Sequence, residues 1–305
     1  MTIEPQVPAP QLVHELAAAR APRHESLLRR TVTRFARHPT AMAGVIVLLL
    51  ICLAVVLAPL LARQNPNAVN LFAQNQRPGP GHWLGTDTEG RDIFARTLYG
   101  GRISLVVGVF AMLISLVIGT LFGGVSGFFR GASDWIIMRV TDVGMTFPPV
   151  VIILTLAAIV GPGVRNTILI IGLLYWPIPS RLVRSKILSV REYEYIEASR
   201  ALGSSRWRTL FRHALPNAIV VIVVSGTLGV ANAILLEAGM SFLGLGVQPP
   251  TPSWGNLLSA ANQLNVLISF PWEWIPAGVA VVATVLSINL IGDGLRDALD
   301  PRAIG

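Results

Sequence analysis

Six stretches of the chain run almost free of charge between polar segments: 41–62, 103–125, 135–160, 167–179, 218–240 and 275–295. A hydrocarbon core of ~30 Å takes about 20 helical residues to cross, so this pattern predicts an all-α integral membrane protein with six transmembrane helices. The fourth stretch is the shortest. The first is preceded by about 40 polar residues, whereas a cleaved signal peptide has a shorter leader and a shorter apolar core, so 41–62 is expected to stay as a membrane helix. The polar segments 1–40, 63–102, 180–217 and 241–272 then lie outside the bilayer.

The spans are interrupted in a regular way. Pro148 and Pro149 fall inside the third, and Pro177 and Pro179 at the end of the fourth, where each ring removes a backbone donor and bends a helix. Gly119, Gly123 and Gly127 recur every four residues toward the end of the second, a stripe that lets another helix approach closely, either within the chain or across a subunit interface. Ser225, Gly229, Ala233 and Glu237 repeat at the same spacing along the fifth. This stripe reads either as packing or, because it carries an acid near its outer end, as one wall of a translocation path.

Charge sets the orientation. The tail carries Arg20, Arg23, Arg29, Arg30, Arg34 and Arg37, and the segment after the fourth span carries Arg181, Arg184, Lys186, Arg191, Arg200, Arg206, Arg208 and Arg212. The segment 241–272 has no Arg or Lys. The positive-inside rule therefore puts both termini and 180–217 in the cytoplasm, with 63–102 and 241–272 outside. A net charge of +8 in a chain that is 52% hydrophobic and 13% charged is topological, and nucleic acid is not expected as a partner. The single cysteine, Cys52, lies in the first span and excludes an intrachain disulfide.

An ion-gradient-driven carrier would place an ionisable residue near the bilayer centre. Here Arg139 and Asp142 sit toward the start of the third span, spaced for a local ion pair, Asp293 near the end of the sixth, and none is evidently at the midplane. An ATP-driven machine needs a phosphate-binding loop ending in Gly-Lys-Ser/Thr. The only lysine, Lys186, is flanked by Ser185 and Ile187, so this chain cannot bind ATP that way and is expected to have no catalytic site of its own.

The segment 194–217, EYIEASRALGSSRWRTLFRHALPN, sets four arginines and two glutamates next to an apolar span. Good helix formers run to Gly203, Ser204 or Ser205 suits the cap of a second helix, and Pro216 is expected to end it. In the second helix Trp207, Leu210, Phe211, Ala214 and Leu215 follow an i, i+3, i+4, i+7, i+8 pattern, with Arg206, Arg208 and Arg212 on the other sides. A helix resting on membrane lipid explains the arginines but not the glycine hinge. A helix-turn-helix DNA reader would need a soluble bundle that the flanking spans leave no room for. A docking element explains both.

In the outer segments, Thr86 and Glu89 are spaced as a capping box for a helix through about Leu98, with Asp92 and Arg96 as an i,i+4 pair. The acids Asp87, Glu89 and Asp92 stand beside arginines that already supply counter-charge, so no metal is expected there. The segment 241–272, with Pro249, Pro250, Pro252 and Trp254, reads as a folded external cap.

The loop pattern Glu197, Ala198, Gly203, Leu215, Pro216 resembles the cytoplasmic loop of bacterial ABC-importer permeases. HWLGTDTEGRDIFARTLYGGRISL (82–105), LLEAGMSFLGLGVQPPTPSWGNLL (235–258) and INLIGDGLRDALDPR (288–302) resemble the dipeptide/oligopeptide permease family, C-type subunit. The likeness runs from about residue 30 to 302, with Ser199, Ala95 and Trp83 as departures; the Pro/Ala-rich tail 1–25 has no counterpart and reads as disordered. The resemblance implies a six-helix permease in the bacterial inner membrane, with a core 103–302, pairing as a heterodimer with a related permease. It further implies two ABC ATPase subunits that bind ATP and Mg, and an extracytoplasmic substrate-binding protein. In such machines the loop helix sits in a groove of the ATPase. Trp207 and Phe211 would be its anchors, Leu210 and Pro216 part of its contact, Arg206, Arg208 and Arg212 its rim, and Gly203 its turn, while Glu197 either touches the ATPase or pairs locally. The implied cargo is di- or oligopeptide, with nickel chelates and glutathione as the alternatives the motifs also allow.

Overall fold

The computed structural model describes residues 27–299; the tail 1–25 with Arg20 and Arg23, the side chains of Arg29 and Arg30, and residues 300–305 lie outside the described residues. The chain starts with α1 (Leu27–Ala36) and α2 (Pro39–Val56). After the outer segment come α3 (Ile93–Phe129), α4 (Gly131–Thr146), α5 (Pro149–Val160), α6 (Val164–Leu174) and α7 (Pro177–Val190). The segment after α7 holds α8 (Glu194–Ala201) and α9 (Arg206–Thr209), and the fifth span is α10 (Ile219–Phe242). Among the described residues, five helical stretches are long and apolar enough to cross a membrane, and a sixth crossing results if α4 and α5 count as one span bent by 84°.

That bend falls where Pro148 and Pro149 were expected to bend the third span, and it is sharp enough to divide the span into two helices. Phe147 and Pro148 are both extended, at φ −91°, ψ 145° and φ −57°, ψ 120°, because a residue that precedes proline is pushed out of the helical region. The fourth span is also longer than expected, a helical run from Val164 to Val190. Pro177 opens α7 at its first position, where the missing N–H costs nothing, so the prolines start a helix here rather than end one.

The longest element is α3, 37 residues and about 55 Å at 1.5 Å per residue. Asp92 caps it by accepting from the Ala95 amide at 2.7 Å. The expected helix start at Thr86 is therefore moved to Ile93, and the expected Asp92–Arg96 pair is not formed. The Thr86 hydroxyl instead accepts from the Gln76 amide at 2.9 Å, Asp92 faces His82 Nδ1 at 2.8 Å, and the Arg96 guanidinium turns to Asp87 at 3.6 Å and the Pro66 carbonyl at 3.1 Å.

Along its inner half α3 lies backbone-to-backbone against α7. A Cβ on Gly119 would stand 2.9 Å from the Trp176 carbonyl oxygen and one on Gly127 2.9 Å from that of Arg184, while at Gly123 it would overlap the Ser180 carbonyl oxygen. The glycine stripe is thus a seam within the chain. At the foot of the seam the Arg184 fork grips Asp134 with two bonds of 2.6 Å, tying α7 to α4. The local pair expected between Arg139 and Asp142 is replaced: Asp142 bonds Arg181, and the Arg139 guanidinium lies 5.7 Å over the Trp135 ring.

The segment 241–272 folds over the other end of α3. It contains α11 (Trp254–Leu258) and α12 (Leu264–Ser269), and leads into the last span, α13 (Ile275–Leu299). Trp254 is 1% exposed; its indole N–H donates to the Thr97 carbonyl at 3.0 Å and its amide to Ser104 Oγ at 3.1 Å. Behind it, Glu273 is buried, and burial together with the charge of Asp87 pushes its carboxyl up to about 7 against the opposing pull of the Thr88 amide and Arg91.

Two outcomes follow from this packing. Gly123→Val should lower the stability of the chain by ~1–3 kcal/mol or more, read as the thermal unfolding midpoint in detergent, because the seam has no room to give. Gly239→Ala, on a helix with open space around the glycine, should leave the midpoint unchanged or raise it slightly. The second outcome concerns pH. The folded chain holds a proton on Glu273 that the unfolded chain releases near 4.5, so this group's contribution to stability is full below 4.5, falls as pH rises to about 7, and is level above. Midpoints measured from pH 4.5 to 8 should therefore fall less in Glu273→Gln than in the wild type.

Candidate functional site

The polar segment after α7 folds as two short helices and a turn. The first, α8, ends at Leu202, and Gly203 takes φ +84°, a conformation that side chains with a Cβ rarely adopt. The Gly203 amide donates to the Arg200 carbonyl at 3.0 Å and the Ser204 amide to that of Ser199 at 3.1 Å, which is the bond pair of a Schellman stop. Ser205 then caps α9, its hydroxyl accepting from the Arg208 amide at 3.3 Å.

Pro216 does not end this second helix, contrary to expectation. The chain widens into a π turn over Leu210–Ala214, tightens into a 3₁₀ turn over Leu215–Ala218, and continues as α10, so helical structure runs unbroken from Arg206 to Phe242. Pro216 has no N–H to give; the Leu215 amide reaches back five residues to Leu210, and the Ile219 amide only three, to Pro216. The change of pitch carries the helix past the ring without a break.

The amphipathic pattern resolves into two faces. Leu210, Ala214 and Ala218 are buried against Phe128, Val183, Ile187 and Ile196. Leu210 is 1% exposed and so anchors the loop to its own chain, a correction to its expected place in the docking contact. Trp207 and Phe211 face outward, 54% and 50% exposed, with their rings stacked at 6.0 Å and 15° and the Phe129 ring 4.8 Å from Trp207. Arg206, Arg208, Arg212, Glu197, Ala198, Gly203 and Pro216 are all exposed. Glu197 makes no ion pair among the described residues, so the local pairing it was offered is not used.

Beside the glycine turn lies a cleft of about 450 Å³ lined by Tyr195, Ala198, Leu202, Gly203, Arg208 and His213, among others. Sequence reasoning missed Tyr195, Leu202 and His213; Tyr195, Ala198 and Leu202 stand at i, i+3 and i+7, a spacing that marks one face of α8 once the position of its buried Ile196 is known. The loop is strongly positive. Arg191, which donates to the Phe128 carbonyl at 2.9 Å, is held below its ordinary pKa by burial and by Arg130, Arg200 and Arg206. Stacked rings rimmed by cations form a surface suited to a protein with an apolar pocket and acidic margin.

The stripe on the fifth span is placed differently from the reading that made it a path wall. Gly229 and Ala233 are buried, and a Cβ on Gly229 would collide with the Met112 sulfur. Glu237 is fully buried, accepting from Ser104 Oγ at 2.8 Å and Ser241 Oγ at 2.7 Å. Ser225 is half-buried and bonds the Ile222 carbonyl at 3.1 Å. Three of the four therefore face the chain's own core, with Glu237 clamping α10 to α3 beneath Trp254. The exposed polar residue of α10 is Asn232, whose amide donates to the Leu228 carbonyl at 3.2 Å. As the one side-chain amide of the fifth span, Asn232 was the available sequence signal.

Residues 116–305 match the family model described as binding-protein-dependent transport system inner membrane component, and residues 26–78 match the N-terminal TM domain of oligopeptide transport permease C. A protein of Brucella suis biovar 1 (strain 1330) named as a peptide permease is 50% identical over 276 residues, 90% of this chain and 91% of that one. The dipeptide transport system permease protein DppC of Alkalihalophilus pseudofirmus is 39% identical over 99% of this chain and 96% of its own. The glutathione transport system permease protein GsiD of Pectobacterium atrosepticum is 42% identical over 88% and 89%. Among solved structures, the MetNI methionine ABC transporter in its inward-facing conformations shares the fold, at a TM-score of 0.55 and 18% identity over 67% of this chain and 97% of that one. With both of its parts matched and relatives this similar along nearly its whole length, the chain belongs to the family of inner membrane components of binding-protein-dependent transport systems.

Proposed function

We propose that this chain is the C-type permease of an ATP-driven peptide importer and that its loop 194–217 docks on an ABC ATPase. The observation that carries the docking is the outward pair Trp207 and Phe211 at the end of the molecule opposite the folded cap. Two large rings half-exposed among arginines suit a protein pocket better than lipid or water, since buried aromatic anchors with a charged rim are the energetic centre of most interfaces. The unbroken helix from Arg206 to Phe242 would carry a push on the loop directly into the fifth span. Two ATPase subunits binding ATP and Mg, a second permease, surrounding membrane lipid and an extracytoplasmic binding protein complete the machine, in the bacterial inner membrane with both termini cytoplasmic.

Peptide is the cargo that the names of the relatives favour, glutathione being itself a peptide. Asn232 supports a different face of α10 as the path. A polar amide exposed on an apolar helix is costly against lipid and is satisfied by a partner subunit or by water. The face of Asn232, Leu235 and Gly239 is therefore assigned to the passage shared with the second permease, in place of Gly229 and Ala233.

Trp207→Ala should weaken ATPase binding by ~2–4 kcal/mol, roughly 30- to 1,000-fold in affinity, while leaving membrane insertion and pairing with the second permease intact. Gly203→Val should act on the same contact through the backbone, because a β-branched residue is strongly disfavoured at this φ. Co-purification of the ATPase and coupled peptide uptake measure both; normal values in both variants would overturn the docking. For the path, cysteine at Asn232 in a Cys52-free background should react with a soluble thiol reagent at a rate that changes on ATP binding. Cysteine at Gly229 should stay unreactive in every state, and the reverse pattern would restore the original stripe.

A further inference from the structure

We propose that the outer segment holds a binding site for a primary ammonium group, built around the Glu273 carboxylate. A cavity of about 220 Å³ opens between the 86–96 turn and the cap, with Glu273, Asp87, Arg91 and Arg96 deep in it and Glu89 and Gln263 toward its mouth. Glu273 is 1% exposed, and neither of its carboxylate oxygens receives a well-formed hydrogen bond among the described residues, although the Thr88 amide lies close enough to act on it electrostatically. A buried carboxylate supported by no more than one poorly placed backbone amide is rare and costly, and a ligand that brings donors relieves that cost.

The remaining groups select the ligand. Asp87 is already engaged by Arg91 at 2.7 Å and faces Arg96 at 3.6 Å, and Glu89 is paired with Arg91 at 2.8 Å. With three acids and two arginines the cavity has a formal charge of −1 when Glu273 is ionised, so it calls for one positive charge. Among the described residues no grouping of three or more His, Cys, Asp or Glu could hold a metal ion, and the two guanidinium groups oppose a divalent charge. A primary ammonium brings one charge and three N–H donors, enough for both Glu273 oxygens and the side-chain carbonyl of Gln263. Leu257 and Val266 form an apolar wall for the carbon that bears it. Asn256 is already engaged, its Oδ1 accepting from the Ser253 amide at 3.0 Å and its Nδ2 donating to the Val247 and Thr251 carbonyls at 3.3 and 2.7 Å.

The same chemistry comes from two sources, the amino terminus of a peptide or a lysine of a protein docked on the outer face. The choice between them rests on the proposed function, but the site does not. The raised pKa of Glu273 adds a signature: binding should strengthen as pH rises through about 7, because the ionised form is the one that accepts all the donors.

The test uses the full chain in lipid nanodiscs and saturation-transfer NMR with three probes: propylammonium, the dipeptide Ala-Ala and N-acetyl-Ala-Ala. At about pH 7.5 the two amines should bind saturably and compete while the acetylated peptide does not. Affinity should drop at about pH 6, and Glu273→Gln should weaken it roughly tenfold or more without lowering the thermal midpoint. Glu273→Asp, which keeps the charge, should keep the pH dependence. Ala-Ala binding at least roughly tenfold tighter than propylammonium assigns the peptide terminus; equal binding, with loss of binding-protein affinity in Glu273→Gln, assigns a protein lysine. Absence of saturable amine binding, equal binding of the acetylated probe, or unchanged binding in Glu273→Gln would overturn the site. Failure of peptide transport with amine binding intact would overturn the proposed function and leave the site standing.

Discussion

The close contact between α3 and α7 is the constraint on which the rest of the molecule depends. Helices that meet through glycines exchange side-chain volume for backbone proximity, and here the Trp176, Ser180 and Arg184 carbonyl groups lie where Cβ atoms would otherwise be. In a bilayer, where apolar side chains gain nothing by leaving lipid for each other, packing density of this kind is a principal source of helix association. Because α3 is about 55 Å long, fixing α7 against its C-terminal half also fixes the loop that α7 leads into. That loop starts just beyond the end of α7, and Phe128 and Phe129 at the end of α3 form the bed on which it rests.

The other end of α3 is held by different chemistry. Glu237 receives two serine hydroxyls, one of which also receives the Trp254 amide, so one buried carboxylate joins α10, α3 and the external cap. A buried carboxylate with hydrogen bonds from two elements is costly to leave half satisfied, which favours movement of these elements as a unit. The continuous helix from Arg206 to Phe242 links this outer clamp to the loop. The loop thus has a stiff connection to the Glu237 clamp, with the π and 3₁₀ turns around Pro216 as the one place along it where the pitch is irregular.

Much of this was legible in the sequence, and the reasons differ by element. The spans followed from apolar length, the Gly203 turn and Ser205 cap from local backbone chemistry, and the glycine stripe from its spacing. The misreadings share a cause, which is that tertiary partners decide between locally equal options. Pro177 and Pro179 suit either a helix end or a helix start, and only the run of α7 beyond them settles it. Asp92 and Arg96 were spaced to pair, yet each found a better partner on a neighbouring loop. Leu210 and Trp207 belong to one apolar pattern, and nothing in that pattern says which side meets Ile187 and which is left outside. Glu237 and Glu273 show the same limit: their burial is a property of the fold over the outer end, made by residues far apart in the chain.

On the proposed function, the outward face of 194–212 is a docking surface whose state reaches the fifth span. Hydrogen exchange measured by mass spectrometry on the permease pair, with and without its ATPase subunits, tests it most directly. Amides in 194–212 should gain protection when the ATPase is present and those around 213–219 should change again on ATP binding, while the amides of the Glu237 clamp exchange slowly throughout. Unchanged exchange over 194–212 in the presence of the ATPase would contradict it.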